Sequence, residues 1–246
     1  MQKVHIGTSG FYYDHWIGRC YREGSPKNTL LEQYAQNFST VELNTTFYHF
    51  PRSTSVEHWA AVTPENFCFS VKANRAITHM HRLAHAKELL QAFLHQLQPL
   101  RSKLGVILFQ LPPSLSPDIP LLEAFLSELP EGYRYAFEFR DIKWLDDRLY
   151  ELLSQYGVSL CINDFGAHPT PWIATAGHVY IRLHGPTGHY EGKYQGEALD
   201  TVASRMLEWA GPGRELFCYF NNDMEGFAWQ NAKELIERLE ASFGGS

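Results

Sequence analysis

The chain has 246 residues and a formal net charge of −6. A single domain of this length can bury about 70–75% of the surface that the unfolded chain exposes. The negative charge provides no overall attraction to polyphosphate, so generic binding to nucleic acid or to an anionic membrane has little electrostatic support. Any basic site must therefore be local, and we expect one domain over residues 1–246.

The cysteines and the first residues indicate the compartment. Cys20, Cys68, Cys161 and Cys218 are widely separated and form no Cys-x-x-Cys pair, so we interpret them as reduced core thiols. Residues 1–6 enter a strand pattern directly, and no stretch approaches the roughly 18 apolar residues that a membrane helix needs. These features predict a soluble cytoplasmic protein with no membrane partner, and they leave the oligomeric state open.

Eight short runs of apolar residues divide the chain. They are rich in β-branched and aromatic residues and nearly continuous in apolar character, as expected of parallel strands covered on both faces. Segments with the apolar spacing of a helix lie between them, for example at 30–38, 89–97 and 149–156. The strand-like runs are 4–8, 40–44, 67–72, 104–111, 134–140, 159–164, 178–184 and 215–221.

This alternation predicts an α/β fold, a single (β/α)8 TIM barrel with an irregular sixth helix. The alternative is an open doubly wound sheet. The chain has no glycine-rich phosphate turn of the dinucleotide type, and eight strand–helix units favour closure. In a closed barrel the C-terminal ends of the strands converge on one mouth, where enzymes with this fold keep their active sites.

Most of the strand-like runs end in a charged or amide side chain. Side chains alternate across a strand, so Glu42 and Asn44 share one face, as do Glu138 and Arg140. If that face is the lumen, opposite charges meet where each buried charge costs several kcal/mol unless it is paired. The cluster is then either an ion-pair layer that closes the barrel top or a functional site, and the variety of its groups favours function.

The candidate catalytic residues are acids, bases and one amine. Lys72 follows a strongly apolar run, and it could be a general base, a Schiff-base amine, an electrostatic clamp or a salt-bridge partner of Glu42 or Glu138. Paired carboxylates in unlike environments can have their pKa values pushed apart, which makes Glu42 and Glu138 the best acid/base candidates. The catalytic set is Glu42, Lys72, Glu138, Asp164 and His184.

The candidate substrate-binding residues are arginines, amides and aromatic or hydroxyl side chains. Arg140 and Arg182 can each grip a carboxylate or phosphate, unless both simply neutralise the carboxylates of the cluster. The loop 188–194 is long enough to be a lid, and aromatic residues near the mouth could stack on a planar or sugar-like ligand. The binding set is Ser9, Trp16, Asn44, Tyr48, Gln110, Arg140, Arg182, Tyr190, Tyr194, Asn221 and Asn222.

These residues favour an enzyme that acts on a small anionic or polyhydroxylated substrate by acid/base chemistry. Glu42, Glu138, Asp164 and His184 could instead bind a divalent metal, but no His-x-His or His-Glu-x-x-His spacing supports a metal site, and no cofactor is predicted. A metal-dependent phosphoesterase or sugar isomerase and a non-catalytic module for ligand or nucleic acid remain alternatives. Lys72→Met or Glu138→Gln is expected to leave folding largely intact while abolishing ligand binding or turnover.

Several short motifs occur in order along almost the whole chain. They are Gly7-Thr8-Ser9-Gly10 with Trp16, Val41-Glu42-Leu43-Asn44 with Phe47-Tyr48, Ser70-Val71-Lys72 with Thr78-His79, Phe109-Gln110-Leu111-Pro112-Pro113, Glu138-Phe139-Arg140 with Trp144, Arg182-Leu183-His184-Gly185, and Tyr219-Phe220-Asn221-Asn222 with Asn231-Ala232. As a set they resemble the domain of unknown function 72 family, the YecE-like proteins. The resemblance implies a TM1631-like TIM barrel and supplies no reaction, so the residue roles above rest on chemistry and placement.

Overall fold

Eight parallel strands form one sheet that curves into a barrel in the computed structural model, which describes residues 3–211 and 213–244. The strand order is β1-β8-β7-β6-β5-β4-β3-β2, which confirms the predicted TIM barrel. The strands are β1 (Lys3–Thr8), β2 (Thr40–Leu43), β3 (Cys68–Lys72), β4 (Leu104–Gln110), β5 (Arg134–Glu138), β6 (Ser159–Asn163), β7 (His178–Leu183) and β8 (Glu215–Phe220).

The barrel closes between β1 and β2. Ser9 and Glu42 form an isolated parallel bridge, and the Gly10 amide donates to the Glu42 carbonyl at 2.7 Å. A Cβ on Gly7 would lie 2.3 Å from the Thr40 carbonyl oxygen, so only glycine permits this approach. The closure places Ser9 beside the end of β2.

Helices cover the outside of the barrel. The predicted helical segments at 30–38, 89–97 and 149–156 coincide with the first, fourth and sixth of them. The irregular sixth helix of the prediction is the one that should follow the sixth strand. No helix follows β6 in the fully described segment 164–177, as expected from that prediction. The helices are α1 (Leu30–Ala35), α2 (Thr45–Tyr48), α3 (Ser53–Val62), α4 (Lys87–Gln96), α5 (Ile119–Ser127), α6 (Asp147–Gln155), α7 (Gly196–Trp209) and α8 (Phe227–Gly244).

Side chains of the strands fill two separate apolar regions. Outward-facing residues pack under the helices, whereas inward-facing residues fill the lumen, because successive side chains of a strand point to opposite faces. The Tyr219 hydroxyl joins two walls of the lumen through Thr40 Oγ1 at 2.7 Å and Ser70 Oγ at 2.9 Å. The buried lumen residues are Cys68, Val106, Leu108, Ala136, Cys161, Tyr180, Phe217 and Tyr219.

The strands end one or two residues before the predicted ends in several cases. Asn44, Arg140, Asp164 and His184 therefore lie in the loops that follow β2, β5, β6 and β7. This is within the uncertainty of element boundaries and does not move the side chains away from the mouth. Cys20, Cys161 and Cys218 are free thiols. Among the described residues, every helix is too short or too polar to cross a membrane.

Candidate functional site

The deepest part of the mouth is a set of ion pairs that joins β2, β7 and β5. Arg182 donates through Nη2 to Glu42 Oε1 at 2.9 Å and through Nη1 to Glu138 Oε2 at 2.5 Å. Ser9 Oγ and the Tyr180 hydroxyl donate to Glu42 at 2.5 and 2.6 Å. Both glutamates are 0% exposed and Arg182 is 1% exposed. We call Glu42, Arg182 and Glu138 the inner cluster.

Both glutamates of the inner cluster are held in the ionised form. Burial alone would raise the pKa of Glu42, but Arg182 and the hydroxyl donors outweigh it and keep that pKa below its usual value. Burial likewise opposes ionisation of Glu138, and Arg140 and Arg182 lower its pKa further than burial raises it. Buried carboxylates saturated by arginine are better suited to fixing charge than to releasing protons. The proton-transfer roles predicted for Glu42 and Glu138 stay predictions.

The residues above the inner cluster are more accessible. Lys72 Nζ donates to Gln110 Oε1 at 2.7 Å and lies 4.1 Å from the centroid of the Phe47 ring. Arg140 Nε lies 2.5 Å from Glu138 Oε1, an ion pair without the angles of a hydrogen bond. The Arg140 guanidinium also lies 3.6 Å from the centroid of Phe165. We call Lys72, Gln110 and Arg140 the outer cluster.

Lys72 differs from the two arginines in its partners. Within the part of the chain that the structure describes, its amine forms no ion pair with a carboxylate, and its hydrogen-bond partner is a neutral amide. Burial, reinforced by the charge of Arg182, lowers the pKa of Lys72 to about 8. The two clusters together contain three cations and two carboxylates. The excess positive charge therefore resides on a half-buried amine.

His184 connects the two clusters. Its Nε2 lies 3.2 Å from Arg182 Nη1 and 3.3 Å from Arg140 Nη2. Because a guanidinium can only donate, Nε2 accepts and the ring is neutral with its proton on Nδ1. Burial lowers the pKa of His184, and the two arginines lower it further against the opposing effect of Asp164. His184 is thus placed as a neutral acceptor that orients two arginines.

The loop 188–194 lies against the mouth and is anchored. The Tyr194 hydroxyl donates to Asp164 Oδ2 and accepts from the Gly185 amide at 2.7 Å. Asn222 Nδ2 donates to the Gly192 carbonyl at 2.8 Å. Tyr190, farther out, is 37% exposed, and its hydroxyl accepts from Arg140 Nη2 at 3.5 Å. Tyr194 and Asn222 therefore hold this loop in place, whereas Tyr190 faces the outer cluster.

Two other predicted binding residues do not reach the clusters. Trp16 is fully buried among aromatic rings, and its Nε1 donates to the Asp223 carbonyl at 2.9 Å. Asn221 is buried, and its backbone N–H donates to the Leu183 carbonyl at 2.7 Å, which continues the pairing of β7 and β8. The structure brings together Ser9, Glu42, Lys72, Gln110, Glu138, Arg140, Asp164, Arg182, His184 and Tyr190.

Two cavities adjoin the mouth. One, of about 420 Å³, lies beside the loops after β5 and β6 and is lined by Arg140 and Phe165. The other, of about 490 Å³, lies between the loops after β1 and β2 and is lined by Asn44 and Tyr48. Within residues 3–211 and 213–244, the buried side-chain oxygen of Asn44 has no hydrogen-bond partner. These cavities give the mouth two openings.

Comparison with known proteins identifies the family. The family described as "Protein of unknown function DUF72" matches residues 5–245. The chain belongs to the DUF72 family. It is 32% identical to the UPF0759 protein YecE of Escherichia coli strain K12 over 167 aligned residues. The aligned region covers 65% of this chain and 59% of YecE. It is 27% identical to the UPF0759 protein YunF of Bacillus subtilis strain 168, over 98% of this chain and 96% of YunF.

A solved DUF72 structure has the same architecture. The DUF72 family protein TM1631 from Thermotoga maritima is 30% identical, with a TM-score of 0.88 over 97% of this chain and 99% of that one. The DUF72 protein EF0366 from Enterococcus faecalis, 22% identical with a TM-score of 0.81, shares the fold. The family assignment therefore supports the barrel and, as its description states, leaves the function open.

Sequence reasoning missed three residues of this DUF72 mouth. Phe165 supports Arg140 from the loop after β6, and Trp59 of α3 lines the cavity beside Asn44. His79 lies against Phe47, with ring centroids 5.0 Å apart, and burial followed by the charge of Lys72 lowers its pKa. An aromatic residue directly after Asp164 was the signal for Phe165, and the motif that joins Thr78-His79 to Lys72 was the signal for His79. Trp59 carries no signal, because its position on α3 does not reveal which loop it faces.

The metal alternative finds little geometric support in the DUF72 barrel. Among residues 3–211 and 213–244, no three His, Cys, Asp or Glu side chains are grouped so that they could hold a metal ion. Four metal ligands had been considered from the sequence, and two of them, Glu42 and Glu138, are bound to arginines. A cation would have to compete with guanidinium groups for these carboxylates.

Proposed function

We propose that this protein is an enzyme that binds a small anionic substrate at the C-terminal mouth of the barrel and transfers a proton through Lys72. One observation carries the proposal. Lys72 is a half-buried amine held by a neutral amide, while the neighbouring carboxylates are already bound to arginines. An anion would supply the negative charge that this amine lacks.

The outer cluster has the geometry for binding such an anion. Lys72 Nζ and Arg140 Nη2 both approach Gln110 Oε1, at 2.7 and 3.5 Å. A carboxylate or phosphate oxygen would add the attraction between opposite charges, which the neutral Gln110 amide does not supply, so it would compete well with this amide. Asp164 would not neutralise the cations first, because it is bound to Tyr194 and to the His184 amide.

Lys72 is also the group best suited to moving a proton. General acids and bases work best when their pKa lies near the operating pH, and the pKa of Lys72 is lowered to about 8. A neutral fraction of the amine can accept a proton and return it as the ammonium ion. The inner cluster, by contrast, would supply fixed charge, and His184 would orient the arginines.

A thermal-shift screen tests the proposal. Sugar phosphates, nucleotides and carboxylic acids are compared with neutral analogues of the same size, using the wild type, Lys72→Met and the control Lys233→Met, whose amine bonds Asn37 instead. A ligand at 100 times its Kd adds about 2.7 kcal/mol of stability, or about 5–10 °C in Tm for a chain of this length. We expect such a shift with an anion for the wild type and for Lys233→Met only.

Two results would overturn the proposal. The first is a Tm shift by an anion that survives in Lys72→Met, and the second is the absence of any anion-specific shift. The pH dependence adds a check, because the ammonium ion is lost as the pH rises through about 8. Anion affinity of the wild type should therefore fall above that pH, and affinity of Lys72→Arg should not.

A further inference from the structure

We propose that the cavity between the loops after β1 and β2 binds a planar aromatic ring, so that the substrate is an aromatic acid whose anionic group faces Lys72. This inference rests on the proposed anion site and narrows its substrate class. It concerns the 490 Å³ cavity, which we call the aromatic cavity. Its aromatic lining is Phe11, Tyr12, Tyr13, Tyr48 and Trp59.

The size and walls of the aromatic cavity fit one ring. Small-molecule sites are typically about 300–1,000 Å³ and mostly apolar, with few polar groups. Aromatic pairs prefer offset or edge-to-face contacts, and each such contact contributes about 0.5–1.5 kcal/mol beyond the area it buries. Tyr48 is 62% exposed, so a ring bound in the cavity would cover an apolar face that now meets solvent.

The hydroxyl groups of the lining favour an aryl ring over a sugar. The Tyr12 hydroxyl donates to Asp14, and the Tyr13 hydroxyl donates to the Ser9 carbonyl. These two tyrosines therefore present ring faces and edges to the cavity, with their donors already used. A sugar needs a matched donor or acceptor for each of its hydroxyl groups, because an unpaired buried polar group is costly. Asn44 Oδ1, also in the lining, is an acceptor without a partner among the described residues, so the preference for an aryl ring rests on Tyr12 and Tyr13.

Phe47 links the aromatic cavity to Lys72. Phe47 and Tyr48 are consecutive residues of α2, and their rings are perpendicular with centroids 5.0 Å apart. Phe47 also contacts His79, with ring centroids 5.0 Å apart, and Lys72, whose Nζ lies 4.1 Å from the Phe47 centroid. A single aromatic ring thus separates the cavity wall from the amine. Neither Phe47 nor Lys72 lines the cavity itself, so an acid bound there would reach Lys72 only with a spacer that passes Phe47.

Matched pairs of acids test the inference. Benzoate, phenylacetate and 3-phenylpropionate are each compared with the cyclohexyl acid of the same spacer and with the neutral aryl amide. Affinities come from titration of tryptophan fluorescence, to which Trp59 of the cavity contributes, and from thermal shift. We expect at least one aryl acid to bind about 3–10-fold more tightly than its cyclohexyl partner, as one aromatic contact predicts.

Variants assign the effect to the aromatic cavity. Tyr48→Ala should lose about 3–10-fold in affinity for the aryl acid, and Tyr48→Phe should retain it, because the ring and not the hydroxyl makes the contact. Tyr156→Ala is the control, since Tyr156 is 38% exposed at the end of α6 and does not line the cavity. Thermal unfolding of each variant without ligand shows that it is folded.

The outcomes separate this inference from the proposed function. If cyclohexyl acids bind as tightly as aryl acids, or Tyr48→Ala binds normally while Lys72→Met does not, the aromatic cavity is not a ring site and the anion site stands. If the aryl amides bind through Tyr48 and no acid binds through Lys72, the proposed function fails and the substrate assignment fails with it. If no aryl acid binds, the inference is overturned.

Discussion

The inner and outer clusters occupy the same mouth but differ in how their charges are satisfied. In the inner cluster, Arg182 binds both glutamates, and all three side chains are almost completely buried. In the outer cluster, Lys72 is half-buried and binds a neutral amide. From the sequence alone, the ion-pair layer and the functional site were alternatives. The inner cluster has the contacts of an ion-pair layer, and our proposal places the functional site at the outer cluster. Substitutions should separate them by affecting stability in one cluster and binding in the other.

The largest expected effect is that of Arg182→Met. The change leaves Glu42 and Glu138 buried without their shared counter-charge, and breaking a buried pair costs about 3–5 kcal/mol. Urea unfolding should measure a loss at the upper end of that range. Arg205→Met is the control, because Arg205 and Glu208 form an exposed pair whose removal costs less than about 1 kcal/mol. Equal effects of the two changes would refute a structural role for the inner cluster.

Glu138→Gln should destabilise the fold by about 3 kcal/mol at pH 7, since Arg140 and Arg182 lose their shared carboxylate. The sequence alone suggested that this variant would fold normally, and the complete burial of Glu138 is the reason to expect otherwise. Because the folded-state pKa of Glu138 is lowered, its stabilisation is present above the unfolded pKa and is lost as pH falls through the folded value. Wild type and variant should therefore converge in stability in acid.

Tyr194→Phe should have a moderate effect of about 1–2 kcal/mol. The hydroxyl both donates to Asp164 and accepts from the Gly185 amide, so its loss leaves a buried amide without its partner. Hydrogen exchange should also be faster in the loop 188–194. Tyr156→Phe, at an exposed position, provides the matched control. A change in stability without faster exchange in this loop would contradict the anchoring role.

Lys72→Met is the change expected not to lower stability. It removes a cation that forms no ion pair among the described residues and whose charged form burial disfavours, so stability at pH 7 should stay the same or increase, while anion binding is lost. The folded-state pKa is about 8 and the unfolded value is about 10.4, so the unfolded chain binds more protons between them. Wild-type stability should rise with pH across this window. The rise should be absent in Lys72→Met, and its persistence there would assign it to another group.

The strands and their two faces could be predicted from the sequence because they depend on the order of neighbouring residues. The two-residue alternation predicted which side chains share a face of each strand, and it left open whether that face is the lumen. The contacts of Glu42, Glu138 and Arg182 show that their shared face is the lumen. The same alternation could not reveal that Trp16 lies among core rings, since it is on a loop. It also could not reveal that Tyr194 and Asn222 hold a loop in place, because their partners are distant in sequence.

The sequence by itself determined the barrel, its mouth and which polar side chains share a face of each strand, because hydrophobic periodicity and strand alternation are properties of neighbouring residues. Tertiary structure decided which charges meet across the lumen. Closure of the barrel and the stagger of its strands bring Arg182 of β7 between Glu42 of β2 and Glu138 of β5. The same stagger leaves Lys72 with the neutral partner Gln110. Which side chains meet across the lumen depends on how far each strand is shifted along the barrel axis, and the pattern of neighbouring residues does not contain this shift.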